Sequence, residues 1–131
     1  MKECERAQQF QDLCEKNPTD VGVQLGQLLN ESQKSAKTMY DCSSEELDKI
    51  IDLCQKLGAL GTRMTGGGWG GCCVSLVKES DVQNFRDTIQ QEYFMNPANG
   101  LLVSDDLDMY VFPSYPGKGA TIIDPQYEVW Y

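Results

Sequence analysis

Apolar residues recur at helical spacing along the first part of the chain, which predicts helices before any strand. The first helix covers "ECERAQQFQDLCEKN" and ends at Asn17, because Pro18 disfavours helical geometry in the residue before it. A second helix is predicted from about Asp20 to Tyr40, with Gly22 and Gly26 weakening it locally. The chain therefore begins with two amphipathic helices.

The third predicted helix has the clearest boundaries. Ser43 and Glu46 form a capping box, in which the serine hydroxyl accepts from the Glu46 amide and the Glu46 carboxylate accepts from the Ser43 amide. Gly58 ends the helix, since glycine readily adopts the left-handed conformation that follows a helix C-terminus. Between these ends the apolar residues keep helical spacing, at Leu47, Ile50, Ile51, Cys54 and Leu57.

Beyond this helix the pattern changes to short β-type runs. Strands are predicted at "TRMT" and "CCVSLV", on either side of a glycine-rich stretch, and later at "MYVF" and "ATII". A second capping box, Ser80 to Gln83, begins a helix that stops at Asn96-Pro97. This order predicts an α+β fold in which a small, largely antiparallel sheet of about four strands packs with helices.

Length and charge limit the possible classes of protein. A chain of 131 residues fits a single domain over residues 1–131, with 40% hydrophobic content typical of a globular protein. No apolar run approaches the roughly 20 residues that span a bilayer, so we expect no membrane insertion. The net charge of −9 argues against nucleic acid as a partner, because phosphate backbones require a basic surface.

The six cysteines predict neither disulfides nor a zinc site. The chain has no histidine and no C-x-x-C pair, so the common zinc constellations are excluded. Reduced cysteines acting as small apolar residues are expected, which favours the cytoplasm or another reducing compartment. The acidic residues Asp105, Asp106 and Asp108 lack the spacing of an EF-hand and predict a solvated turn, so no metal ligand is predicted.

The stretch "GTRMTGGGWGGCCVSLV" raises the main chemical question. Gly66, Gly68 and Gly71 satisfy G-x-G-x-x-G, but that dinucleotide motif needs a helix after the glycines, and here a β-type run follows. A P-loop is excluded as well, since no Lys-Ser/Thr pair follows.

Two interpretations of the glycines remain open. In the first, they form a hairpin in which glycine allows positive φ and close packing. Alternatively their amides converge on an anion, with Arg63 and Thr65 just before the loop and Trp69 covering a flat face of the ligand.

The same stretch strongly resembles the third signature motif of the galactokinase-type sugar kinases, within the GHMP kinase superfamily. "LLNESQKSAKTMYDCSSEELDKIIDLCQKLGALG" is similar to the segment that precedes this motif in galactokinases and N-acetylgalactosamine kinases, and "PSYPGKGATII" looks like their closing turn and strand. The resemblance covers about Glu3 to Ile123 and implies the GHMP kinase C-terminal fold, a four-stranded antiparallel sheet packed with helices. Gln33 departs from it, because the family often carries histidine there.

The resemblance also implies which residues bind a cofactor and which functions are missing. The family's catalytic aspartate, its nearby arginine and its first two motifs belong to an N-terminal half that these 131 residues lack, so no catalytic residue is expected here. ATP and Mg²⁺ are expected only when that half complements the chain. The implied cofactor-binding residues are Arg63, Thr65, Gly66, Gly67, Gly68, Trp69, Gly70 and Gly71.

Three functions remain open. The chain is part of an ATP-dependent sugar kinase, inactive alone and completed by a kinase N-terminal half; or it is a non-catalytic subunit with a structural or interaction role in a larger assembly. The intact loop favours the first, whereas the missing motifs and the aromatic tail "DPQYEVWY" favour the second. A sensor that binds sugar or nucleotide without chemistry is the third, and it is weaker because the sugar-contacting half is missing. In the first two cases a protein partner is expected.

Overall fold

A computed structural model describes residues 2–101, 106–115 and 117. In these residues helices surround a small antiparallel sheet, which confirms the α+β class. The main elements are α1 (Lys2–Lys16), α2 (Val21–Ser35), α3 (Glu45–Lys56), β1 (Gly61–Met64), β2 (Cys73–Leu76) and α4 (Val82–Ile89). The π-helical turns Ala36–Tyr40 and Gln90–Phe94 continue α2 and α4, and short 3-10 helices lie at Glu79–Asp81, Pro97–Asn99 and Leu107–Met109.

The sheet is smaller than the four strands predicted. Within the described residues β1 pairs with β2 alone, in a register that places Gly61 opposite Leu76. The predicted strand "MYVF" is wrong: the amides of Tyr110 and Val111 both bond to the Leu107 carbonyl, at 3.0 and 3.3 Å, as the end of a helical turn. A β-type run without a partner strand has no ladder to join. The other late strand, "ATII", lies outside the described residues.

Helix α2 packs directly on the start of β1 through glycine. A Cβ atom on Gly26 would collide with the Leu60 carbonyl, and one on Gly61 would collide with the Gly26 carbonyl. The two backbones therefore touch with no side chain between them. The sequence presents Gly26 only as a weak point in a helix, but the structure shows that it is the contact point between α2 and β1.

Two buried clusters lie on different parts of α3. Leu47 and Ile51 of α3 pack with Met64 of β1 and with Cys42, which precedes the helix. Further along, the α3 residue Cys54 packs with residues of α4 and its π-helical turn, Ile89 and Tyr93. Helix α3 thus joins the sheet to the C-terminal helix. No helix in the described part of the chain is long and apolar enough to span a bilayer.

The predicted capping boxes are both wrong in detail. Ser44, not Ser43, is the N-cap of α3, and its Oγ accepts from the Leu47 amide at 3.2 Å. The Ser43 hydroxyl instead donates to Asp48 Oδ1 at 2.7 Å. The predicted end at Gly58 is confirmed, with φ of 94° and the paired backbone bonds of a Schellman motif.

At the start of α4 the residues of the second predicted box make other contacts. Ser80 Oγ bonds to Asp81, and Gln83 Nε2 donates to both carboxylate oxygens of Asp87 one turn later. A 3-10 helix, Glu79–Asp81, leads into α4 and changes the geometry that a capping box requires.

Candidate functional site

The glycine loop, residues 66–71, connects β1 to β2. It is closed at its base by a hydrogen bond of 2.9 Å from the Thr65 amide to the Cys72 carbonyl. A strand follows the glycines rather than a helix, so the exclusion of a dinucleotide motif is confirmed. Every residue of the loop except Gly67 has a positive φ angle: Gly66, Gly68, Trp69, Gly70 and Gly71.

Trp69 fastens this loop to the turn that follows α2. Its backbone amide donates to the Cys42 carbonyl at 2.6 Å, and its indole Nε1 donates to the Asp41 carbonyl at 3.0 Å. Gly68 lies against the same turn, because a Cβ atom there would collide with the Cys42 carbonyl. Trp69 itself has a φ of 55°, a strained conformation for a bulky residue that these two hydrogen bonds hold in place.

Gly67 differs from its neighbours in the loop. Its φ is not positive, and a Cβ atom built on it would meet no atom within 4 Å. Neither backbone strain nor crowding within the described residues therefore requires glycine at this position. A side chain here would project into the open space in front of the loop.

The glycine amides of the loop have no partner in the part of the chain that the structure describes. Among the residues that the structure describes, no acceptor bonds to the amides of the five glycines, Gly66, Gly67, Gly68, Gly70 and Gly71. Successive free N–H groups of this kind can bind an anion in place of water. Both interpretations from the sequence are compatible with this geometry, because positive φ and free amides coexist.

The structure places the other predicted site residues at the ends of the loop. Strand alternation puts Arg63 and Thr65 on one face of the sheet, opposite to the buried face that carries Thr62 and Met64. Arg63 is half-buried and its Nε donates to the Met64 carbonyl at 3.0 Å. Thr65 is exposed beside the first glycine.

Trp69, which was predicted to cover a flat face of a ligand, lies beside another aromatic ring in the structure. Its indole lies next to Tyr40, with ring centroids 6.1 Å apart, on the side of the loop that faces the end of α2. Both rings and the side chain of Met39 are largely exposed, at 65, 71 and 74%. Tyr40 and Trp69, together with Met39 in the same π-helical turn as Tyr40, are called the aromatic patch below.

Two polar residues of α2 that sequence reasoning did not assign a role support the start of the loop. The amides of Thr62 and Met64 point away from β2 and donate to Asn30 Oδ1 at 3.0 Å and Gln33 Oε1 at 2.8 Å. Asn30 also donates to the Leu60 carbonyl at 3.3 Å. The sequence carries a signal for this role, because Asn30 and Gln33 lie three residues apart and therefore on the same face of α2, next to apolar residues.

Metal and thiol chemistry do not converge on this site in the described residues. No group of three or more histidine, cysteine, aspartate or glutamate side chains with metal-binding geometry occurs in that part of the chain. The six cysteines are free. The pKa of Cys73 is raised by its hydrogen bond to Cys54 and by burial, so this thiol stays protonated and packs as an apolar residue.

Comparison with known proteins shows to which family this fold with its glycine loop belongs. Residues 19–94 match the model of the family described as "GHMP kinases C terminal". The chain belongs to the GHMP kinase C-terminal family. The matched residues include the glycine loop, the turn that anchors it and the two polar residues of α2.

Galactokinases are among the relatives of this family member. The galactokinase of Dictyostelium discoideum is 43% identical over 108 residues, which cover 80% of this chain and 21% of that protein. That of Saccharomyces cerevisiae is 39% identical over 108 residues, covering 80% and 20%. The crystal structure of Lactococcus lactis galactokinase complexed with galactose matches with a TM-score of 0.57 and 37% identity, over 66% of this chain and 22% of that one.

These matches confirm the resemblance to a C-terminal domain of the galactokinase type. The chain spans about one fifth of the length of the galactokinases it matches.

Proposed function

We propose that this GHMP kinase C-terminal domain contributes the glycine loop to an ATP-dependent sugar kinase of the galactokinase type. The reaction is transfer of a phosphoryl group from ATP to a sugar hydroxyl. The chain supplies neither the base nor the sugar contacts, which would come from the remaining four fifths of such a kinase. It is not expected to turn over alone.

The observation that carries this proposal is Gly67. Its bare backbone is required by nothing in the fold of the described residues, so the reason for it lies outside them. A ligand that approaches the backbone closely at Gly67 would supply that reason, because it would leave no room for a Cβ atom.

Phosphate fits the loop better than a metal ion does. Phosphoryl transfer is catalysed mainly by positioning and by stabilising negative charge that spreads over the phosphoryl oxygens. The free glycine amides would donate to those oxygens, and Arg63 would add positive charge at the loop's base. Magnesium would need oxygen ligands from elsewhere, because no cluster of three acidic side chains with suitable geometry is present in the described residues.

Because the chain has a net charge of −9, phosphate binding would depend strongly on the hydrogen-bond donors of the loop, its glycine amides. A strongly acidic domain repels a nucleotide at long range, so binding relies on short-range hydrogen bonds from fixed amides. Because the Thr65 bond and the Trp69 anchors hold the backbone, these donors need little reorganisation when the phosphate arrives.

A chimeric kinase tests the proposal. The 108 matched residues of the Dictyostelium galactokinase are replaced by the corresponding residues of this chain, and galactose-dependent ADP release is measured. We expect an active chimera, and a fall in kcat/KM of about tenfold or more when Gly67→Ala is introduced. A folded chimera without activity, or one in which Gly67→Ala has no effect, would contradict the proposal.

A second candidate function is a non-catalytic subunit of a larger assembly. An apolar groove of about 530 Å³ favours it, since an exposed groove lined by apolar side chains can take up apolar groups of a partner protein. The groove lies between β2, α4 and residues 110–115, with Val74, Phe85 and Phe112 among its lining residues.

Native purification of the untagged chain separates the two functions. Recovery with a polypeptide that carries the first two kinase motifs, and with galactose-dependent activity, supports the kinase. Recovery in a complex without such a polypeptide and without activity supports the subunit.

A further inference from the structure

The side chain of Gln33 contacts both supports of the glycine loop. Its Oε1 accepts from the Met64 amide at 2.8 Å, and its Nε2 donates to Ser43 Oγ in a long hydrogen bond of 3.5 Å. Met64 is the last residue of β1 and immediately precedes the base of the loop. Ser43 immediately follows Cys42, whose carbonyl holds Trp69. One amide group thus joins the strand from which the loop leaves to the turn that anchors it.

The ladder between β1 and β2 leaves the Met64 amide without a strand partner. The bond from Thr65 to Cys72 fixes which residues exchange hydrogen bonds, and Met64 and Cys73 form the non-bonded pair next to it. The Met64 N–H therefore points to α2, where Gln33 is 6% exposed. A buried amide that loses its acceptor is costly, so the strand end would shift if Gln33 were replaced by an apolar residue.

We infer that Gln33 is a positioning residue for the glycine loop, acting through Met64 and Ser43 to fix the place of Trp69 and of the free glycine amides. The inference concerns the shape of the glycine loop, which the proposed function assigns to phosphate binding. It rests on the proposed function only where it implies that Gln33 affects kinase activity. Asn30 supports the middle of β1 in a similar way but does not reach the anchoring turn through any contact described.

The position requires an acceptor toward Met64 and a donor toward Ser43. A glutamine amide provides both, and so does a neutral imidazole, whereas a protonated imidazole has two donors and leucine has neither. Gln33→His should therefore preserve the loop when the imidazole is neutral and disturb it when the imidazole is charged. A role in filling volume alone would not depend on pH.

The sign of this dependence follows from the acceptor requirement. The folded loop needs the neutral form, so the pKa of the introduced histidine would fall below its usual value of about 6.5. The native loop is then present above the unfolded pKa and is lost as the pH falls through the lower folded value.

The charged groups next to these contacts are Asp48 of α3, Lys37 of the π-helical turn and Arg63 of β1. Burial raises the pKa of Asp48, but hydrogen bonds from Lys37 and Ser43 outweigh it and leave that pKa below its usual value. The pKa of Lys37 is raised by its hydrogen bond to Asp48, so Asp48 and Lys37 both stay charged between pH 5 and 8. A change over this range is then due to the introduced imidazole.

The indole N–H of Trp69 reports the position of the loop. The chain has two tryptophans, so Trp130→Phe leaves one indole signal in a ¹H–¹⁵N NMR spectrum. In this background Gln33→His should show the parental Trp69 signal at pH 8. At pH 5 it should show a displaced signal whose hydrogen exchange is about tenfold faster than that of the parent at the same pH. Gln33→Leu should show the displaced signal at both pH values.

Gln27→His is the matched control. Gln27 is exposed on α2 and bonds to Glu31 at 3.1 Å, so its replacement should leave the Trp69 signal parental at both pH values. If Gln33→Leu does not fold, Gln33→His at pH 8 and 5 carries the test.

Two results would overturn the inference: a parental Trp69 signal in Gln33→His at a pH where the ring signals of this histidine, the only one in that variant, show it charged, or an equal shift in the control. If the Trp69 signal shifts as expected but the chimeric kinase is inactive, the proposed function is contradicted and the role of Gln33 in positioning the loop stands.

Discussion

Gly67 and Gly68 are adjacent in sequence, yet the fold of the described residues constrains only one of them. Gly68 combines a φ of 85° with a backbone contact to Cys42, and Gly67 has neither feature. The pair therefore separates a glycine that the fold requires from one that the fold of the described residues does not require.

Gly68→Ala should destabilise the chain by about 1–3 kcal/mol, because the new Cβ atom would collide with the Cys42 carbonyl at a strained φ. Gly67→Ala should leave the free energy of unfolding within about 0.5 kcal/mol of the parent. Urea unfolding followed by circular dichroism measures both. Equal losses of stability in the two variants would contradict this assignment.

The sequence predicted the glycine loop well at the level of single residues, but not its anchors. Glycine composition alone indicates positive φ and close backbone approach. The positive φ at Trp69 had no local signal, since a bulky residue adopts it only when contacts from elsewhere hold it. Those contacts come from Asp41 and Cys42, and pairing over such a distance in sequence is invisible to local patterns.

At the scale of elements, the contact between α2 and β1 depends on glycine in a helix. Gly22 and Gly26 lie one turn apart, and both face Leu60. A Cβ atom on Gly22 would lie 3.2 Å from the flexible end of the Leu60 side chain, whereas one on Gly26 would meet the Leu60 backbone.

Gly26→Ala should therefore destabilise the chain by about 1–3 kcal/mol, by pushing α2 away from β1. Gly22→Ala should be neutral or stabilising by up to about 1 kcal/mol, since alanine is the better helix former and Leu60 can rotate away. The measurement is the midpoint of thermal unfolding of each variant. Destabilisation by Gly22→Ala as large as that by Gly26→Ala would show that crowding against the Leu60 side chain matters as much as the backbone contact.

Element types were more predictable than element ends. Periodicity predicted α3 apart from a shift at its N-terminus, and it gave Gly58 its correct role, since both depend on nearby residues. The cap moved from Ser43 to Ser44 because Ser43 is drawn into contacts with Asp48 and Gln33. "MYVF" has β-type composition but forms no strand in the described residues, because a strand depends on a partner as much as on its own sequence.

At the scale of the whole molecule, the aromatic patch lies next to the glycine loop. Met39, Tyr40 and Trp69 are all exposed, and under the proposed function apolar surface beside the glycine loop would be a contact for the rest of a kinase. The sequence did not predict this patch, because Trp69 reaches Tyr40 only through the loop's tertiary contacts.

Met39→Ser should weaken association with a separately expressed galactokinase fragment that lacks the matched residues, while changing the stability of the chain alone by less than about 0.5 kcal/mol. Val23→Ser is the control, since Val23 is similarly exposed, at 57%, on α2 away from the loop. Isothermal titration calorimetry compares the two. Equal affinity of both variants for the fragment would show that the aromatic patch is not part of the interface.

The outer edge of β1 is covered by side chains rather than by another strand. Asn30 and Gln33 already occupy the N–H groups of Thr62 and Met64 that an incoming strand would use. An exposed strand edge is a common starting point for aggregation, in which chains pair edge to edge. With this edge blocked by two amide side chains, intermolecular strand pairing at β1 would first require α2 to detach, so the same contacts that support the loop also protect the protein against aggregation from this side.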